Sequence, residues 1–349
     1  MLDFKGAAIE KIIVHKVGNR YQDEELLISK REINLADELL LDLLKKYFLK
    51  PFKEAAYYNF HHESSVELND VYNYCDHIFQ DHETFFQQSS GIAKHLYEET
   101  NHPNIKAGEL YVVYFSNCRL DEDIVDAIGI FKSENKETFI KVYEQDEGLG
   151  LDHTDGININ KLDKGCIVFN AEKEDGFRVC VIDNVKGTDE VAQYWQRNFL
   201  GILPREDNYY HTNTYMDICK GFVNDVFTPE NEVPRTDQLL MMDRSLNFFK
   251  ENDQFNMFDF ESQVMENEEI IDAFRDYKED FKKKNDVPVY EEFDISNNAV
   301  KSQKKFFKSV IKLDKRFHVY VHGGHDRMER SYDEEKRMYY YKLYFDQES

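Results

Sequence analysis

Seven basic side chains fall within one short stretch of this sequence, Lys301, Lys304, Lys305, Lys308, Lys312, Lys315 and Arg316, against a single acid, Asp314. Between Val300 and Gly324 the net charge is +6, whereas the whole chain of 349 residues carries −24, which leaves −30 on the remainder. Ammonium and guanidinium groups at this density can track a phosphate backbone. If the stretch is one helix, at about 100° per residue the six lysines share an arc of about 100°, with Phe306, Phe307, Val310 and Leu313 facing the other way. A second geometry ends the helix near Phe307, starts a strand at Ser309 and turns at Asp314-Lys315-Arg316 into Phe317 to His322, which the β-branched residues and FHVYVH favour. Lys301, Lys304, Lys305 and Lys308 stay clustered in both. A solvated lysine face, or lysines that neutralise acids of the other domain, is the competing reading.

Other residues could do chemistry, but their spacing argues against it. His318 and His322 share a face of a strand yet stand about 13 Å apart at the usual rise, too far to hold one ion. Asp152, His153 and Asp155 precede Gly156, but an EF-hand register would put Leu151 first and Leu162 last, so the stretch reads as an acidic loop. Gly148 and Gly150 lack a third glycine and a following helix, and His62-Glu63 has Val66 where a zincin needs its second histidine. A metal-dependent nuclease would use Asp126 on one strand and Glu134-x-Lys136 on the next to hold a divalent ion and a water; Glu134-Asn135-Lys136 also reads as a hairpin turn, polar for solvation alone. Five cysteines, at 75, 118, 166, 180 and 219, form no C-x-x-C pair, so neither a disulfide framework nor a zinc ribbon is expected. No catalytic, metal or cofactor site is expected, and the chain reads as non-enzymatic.

The elements that must position these residues can be read from periodicity. Strands run from Ala8 to Lys16 and from Glu25 to Ser29, and Asn34 caps a helix with Leu35, Leu39, Leu40, Leu43, Leu44 and Phe48 at spacings of three and four, ended by Pro51. Helices over Leu68 to Phe79 and Glu83 to Thr100 lead into short segments rich in Val, Ile, Phe and Tyr and bounded by Gly, Asn or Asp, an antiparallel meander. Cys166 to Asn170 and Phe177 to Ile182 read as a hairpin closed at Glu174-Asp175-Gly176. After Asp183 the character turns helical, over Asp189 to Phe199, Tyr209 to Phe227 and Asp237 to Lys284, before strand patterns return at Phe317 to His322, Met328 to Tyr332 and Arg337 to Phe345. The expected fold is α+β: residues 1–186 form a mixed domain around an antiparallel sheet, and residues 187–349 a mostly helical domain ending in a small antiparallel sheet.

The wording of the chain adds to its pattern. GELYVVYF, GIFKSENKETF, GININKLDKGCIVFN and the YWQRNFLG of Tyr194 to Gly201, with VHKVGN from Val14, KYFLKPF from Lys46, AKHLYEETNHPNIK from Ala93 and SVIKLDKRFHVYVHG from Ser309, occur in one order over most of the chain. In these segments it resembles the bacterial nucleoid-associated proteins of the NdpA or YejK type. None of the strings is a catalytic signature. The resemblance implies a place on the nucleoid of the bacterial cytoplasm, with DNA, expected to be double-stranded, or DNA-processing proteins as partners. A charge of −24 opposes a polyanion, so direct binding needs the +6 stretch, and the alternative is an acidic adaptor that docks basic partners on the nucleoid without touching DNA. No membrane partner is expected, because no stretch approaches the roughly 18 apolar residues of a span. A homo-oligomer is compatible with the sequence.

Overall fold

The computed structural model describes residues 2–52, 56–146, 148–184, 194–228, 231, 233–265, 267–285, 287–303, 309–313, 316–321 and 327–347. They divide into two compact units, residues 1–205 and 206–349.

The first unit is built on a long antiparallel sheet. Its strands are β1 (Leu2–Asp3), β2 (Ala8–Val17), β3 (Tyr57–Phe60), β4 (Gly108–Leu120), β5 (Asp123–Ser133), β8 (Lys164–Phe169), β9 (Arg178–Asp183) and β10 (Ile202–Pro204), while β6 (Glu137–Gln145) and β7 (Gly148–Gly156) form a separate ribbon between β5 and β8. The order is β4-β5-β8-β9-β3-β10, with β1 and β2 both paired to the far side of β4. Alternation along β4 explains why the sheet is covered on both faces. Leu110, Val112 and Tyr114 pack on helices α2 (Asp70–Gln80) and α3 (Phe85–Glu98), through Val71, Cys75, Ile92 and Leu96, whereas Tyr111, Val113 and Phe115 pack on Tyr47, Phe48 and Leu49 of α1 (Glu38–Leu49). The expected hairpin of β8 and β9 is present. Gly176 closes it at φ +88°, and an added Cβ would lie 2.3 Å from the Phe60 carbonyl.

Three local readings are corrected. The cap of α1 is Asp37, whose carboxylate accepts from the Leu40 amide at 3.0 Å, while Asn34 only closes a turn onto the Ala36 amide. The segment from Glu25 to Ser29 is held by a single bridge, Leu27 to Lys16, and is not a strand. Asp152 to Gly156, read as an acidic loop, belongs to β7, which pairs with β6 over nine registered positions.

The division between units falls at Arg205 and Glu206, later than the boundary read at residue 186. The reason is apolar: Tyr194, Trp195, Phe199, Leu200 and Ile202 are buried in the core that α2, α3 and the sheet share, and Ile202 pairs with Phe60.

The second unit carries α4 (Asn208–Asp225), α5 (Arg235–Glu251), α6 (Glu268–Asn285) and α7 (Asn297–Gln303), with a two-stranded pair of β11 (Gln254–Asn256) and β12 (Glu292–Asp294). Aromatic rings fill its centre: Phe255 stacks on Phe249 at 5.6 Å and on Phe293 at 4.7 Å. Two further hairpins follow, β13 (Ser309–Leu313) with β14 (Phe317–Val321), and β15 (Met328–Asp333) with β16 (Met338–Leu343). The architecture is α+β, with a small antiparallel sheet near the C-terminal end.

Candidate nucleic-acid interface

Lys301 lies in α7, a helix of seven residues fixed by its buried side. Ala299 and Val300 are buried, Val300 within the aromatic core of the unit, and the Gln303 amide donates to Asn213 at 2.6 Å and to Asp217 at 3.2 Å on α4. With that face anchored, Lys301 is left exposed. The strand that begins at Ser309 settles the geometry: the stretch is a short helix followed by a hairpin, not one long helix, so the six lysines do not share a single helical stripe. Lys312 is in β13, in register with His318, and Arg316 is exposed at the turn before β14. Lys304, Lys305, Lys308 and Lys315 lie outside the described residues.

Two features of the same unit escaped the sequence reading. Lys282, Lys283 and Lys284 are exposed in the last turn of α6, where the helix dipole favours cations. Their signal, three consecutive lysines, is masked by the acids around them. On the outer hairpin, the Arg330 guanidinium sits 4.0 Å from the Tyr339 ring, which meets Tyr332 edge-on at 4.9 Å, and both tyrosines are exposed. Arginine stacked on open aromatic rings can receive an unstacked base, although Glu329, Asp333, Glu334 and Glu335 keep the hairpin close to neutral.

The nuclease constellation is not assembled. Asp126 lies within β5 and Glu134 just past its last residue, Ser133, eight residues on and so about 26 Å apart at the usual rise. Asp126 accepts from the Tyr114 hydroxyl at 2.6 Å, Lys136 pairs with Glu109 at 2.6 Å, and Glu134 is buried in a different cluster. There the Lys132 ammonium donates to the Lys106 carbonyl at 2.6 Å and to Glu134 at 3.0 Å, and lies 3.2 Å from the Tyr194 hydroxyl, which donates to Glu134 at 3.1 Å. Lys164 pairs with Asp183 at 2.6 Å beside the same ring. Burial pushes Lys132 below the ordinary lysine range, with Glu134 pulling the other way, and drives the Tyr194 phenol well up. The cluster joins β5, β8, β9 and the Tyr194 segment, and both of its lysines are closed to water, so it serves as a structural joint.

Among the described residues no group of three or more His, Cys, Asp or Glu side chains is placed to hold a metal ion, and all five cysteines are buried thiols. No described helix is long and apolar enough to cross a membrane. The second unit does contain a cleft of about 590 Å³, lined by Asn256, Asp259, Tyr290, Glu292 and Asp294 around His211. Burial lowers the His211 pKa, so the imidazole adds no fixed positive charge to that acidic wall.

A model of the family of nucleoid-associated protein YejK matches residues 13–340, a span that takes in the sheet of the first unit, the aromatic core of the second and the 301–316 stretch. The chain belongs to this family. No curated protein matches it. Membership gives the chain its general role as a nucleoid-associated protein and attaches no reaction to it. The match also runs through the buried Lys132 and Lys164 joint, which serves the fold.

Proposed function

We propose that this protein associates with the nucleoid by contacting DNA directly, without strong sequence preference and without catalysis, through Lys301, Lys304, Lys305, Lys308, Lys312, Lys315 and Arg316. The observation that carries the reading is a +6 stretch in a −24 chain of a nucleoid-associated family, with Lys301 and Arg316 both open to solvent. Contact of this kind is electrostatic. Each neutralised phosphate releases counterion, so affinity for a duplex falls with salt at a slope of about −0.9 per contact. Gel shifts across a salt series test it: Lys301→Glu, Lys304→Glu, Lys305→Glu and Lys308→Glu together should abolish binding, and unchanged affinity removes this surface from consideration.

A second reading, the acidic adaptor, is favoured by the Asp259, Glu292 and Asp294 wall of the cleft, which would attract a basic protein and repel DNA. The two separate on one experiment. Protein partners retained at low salt after complete nuclease digestion support the adaptor, and their loss supports direct contact. Plasmid left supercoiled in Mg²⁺ or Mn²⁺ closes the nuclease alternative.

A further inference from the structure

The ribbon of β6 and β7 is a sheet of its own, and among the described residues it stands exposed along nearly its whole length. Its two faces are treated differently by the sequence. On one, the Phe139 and Tyr143 rings lie across Gly156 and Gly150, where an added Cβ would meet ring atoms at 3.3 and 2.6 Å, so aromatic side chains fill the glycine gaps of the facing strand. On the other, the register Ile140 to His153, Val142 to Leu151 and Glu144 to Leu149 sets four apolar side chains in one stripe. Ile140 is 78% exposed, Val142 58%, Leu149 73% and Leu151 73%. A lone two-stranded ribbon in water is marginal, and a contiguous apolar stripe on it marks a surface that another element covers.

Charge excludes polyanionic occupants. From Glu137 to Gly156 six acids stand against Lys141 alone, so neither DNA nor an anionic membrane suits this ribbon. The stripe is self-complementary in kind, as an isologous contact requires. Laid tip to base on a second ribbon, with Val142 and Leu151 at the centre, it separates the two acidic tips and brings Glu144 of each copy to the rung that carries His153 of the other. At these exposures roughly 500 Å² of side chain stands open per copy, so a pair would close about 1,000 Å², the lower bound for a specific interface. We infer that the ribbon is a dimerisation arm whose Ile140, Val142, Leu149 and Leu151 face packs on the same face of a second copy of this chain.

The contact is apolar and the flanking charges repel, so screening should tighten it. Sedimentation of the full chain should show a concentration-dependent dimer that strengthens as NaCl rises. Val142→Thr with Leu151→Thr, which keeps strand propensity, should weaken the dimer at least tenfold with an unchanged circular dichroism spectrum. Should that variant misfold, oxidation of single-cysteine variants decides instead. Val142→Cys should form an interchain disulfide against the buried native thiols, and Lys141→Cys, on the opposite face, should not. A monomer at every salt concentration, a dimer that salt dissociates, or equal cross-linking from both positions overturns the inference.

Discussion

Glu134→Ala tests the reasoning about the buried joint most sharply. Lys132 is 0% and Glu134 2% exposed, their charged atoms are 3.0 Å apart, and alanine leaves the ammonium without its counter-charge in a site water does not reach. Removing one partner of such a pair costs about 3–5 kcal/mol. The Lys106 carbonyl and the Tyr194 hydroxyl still receive the ammonium, at 2.6 and 3.2 Å, which places the expected loss near the lower end, about 3 kcal/mol. For a unit of this size that lowers the midpoint of thermal unfolding by roughly 6–12 °C. The assay is built in, because Trp195 is the single tryptophan, fully buried and next in sequence to Tyr194, so urea unfolding followed by its fluorescence reports on this joint. Lys132→Met with Glu134→Gln removes both charges yet leaves an acceptor for Tyr194, and should return stability to within about 1 kcal/mol of the wild type. A single variant that loses less than about 1 kcal/mol, or a double variant less stable than the single, refutes the account.

Two other sites give expectations of the same kind. Burial holds the His15 imidazole down to about 4, below its ordinary 6.5, so as pH falls the unfolded chain takes the proton first. Its contribution is intact above about pH 6.5, is lost progressively towards pH 4 and is worth up to about 3 kcal/mol; His15→Gln should flatten the acid limb of stability measured against pH, and an unchanged slope would remove the cause. Asn69 caps α2 by accepting from the Tyr72 amide at 2.9 Å and donates to the Leu200 carbonyl at 2.9 Å, tying the segment after Tyr194 to the helix. Asn69→Ala should cost about 2–3 kcal/mol in chemical denaturation, from a lost cap and a buried carbonyl left unpaired, and a loss under about 0.5 kcal/mol would show that the cap alone is dispensable.

Much of the fold is legible in the sequence because its signals are local. Continuous apolar runs such as GELYVVYF mark strands covered on both faces, and Glu174-Asp175-Gly176 marks the turn that Gly176 closes at positive φ. The features that sequence hides depend on partners distant in the chain. β7 reads as a loop because Gly148, Gly150, Asp152 and Asp155 are poor strand formers; the rings that compensate, Phe139 and Tyr143, come from the strand opposite. The Tyr194 to Leu200 segment reads as part of the second unit because its helical wording matches the helices beyond Asn208, whereas its burial against α2 and α3 decides otherwise. At the candidate site, the short helix and hairpin are one of two geometries that β-propensity can rank, and Lys301 and Arg316 are exposed as that geometry requires. The Lys132 joint leaves no trace in the sequence, since Lys106, Glu134 and Tyr194 come from three separate segments.

The two proposed surfaces answer salt in opposite senses, and that opposition makes them separable in one titration. Phosphate contact by the 301–316 stretch weakens as counterions compete, while the apolar arms come together as their acidic flanks are screened. A chain whose other residues carry −30 needs help to stay on a polyanion, and pairing supplies it by carrying two basic stretches on one particle, so that the second stretch binds at the effective concentration its tether sets. The Val142→Thr and Leu151→Thr variant should therefore keep the intrinsic affinity of a short duplex that spans one basic stretch and lose affinity for a long one. Equal losses on both would mean that the arm acts on DNA itself, and equal retention on both that each copy binds alone.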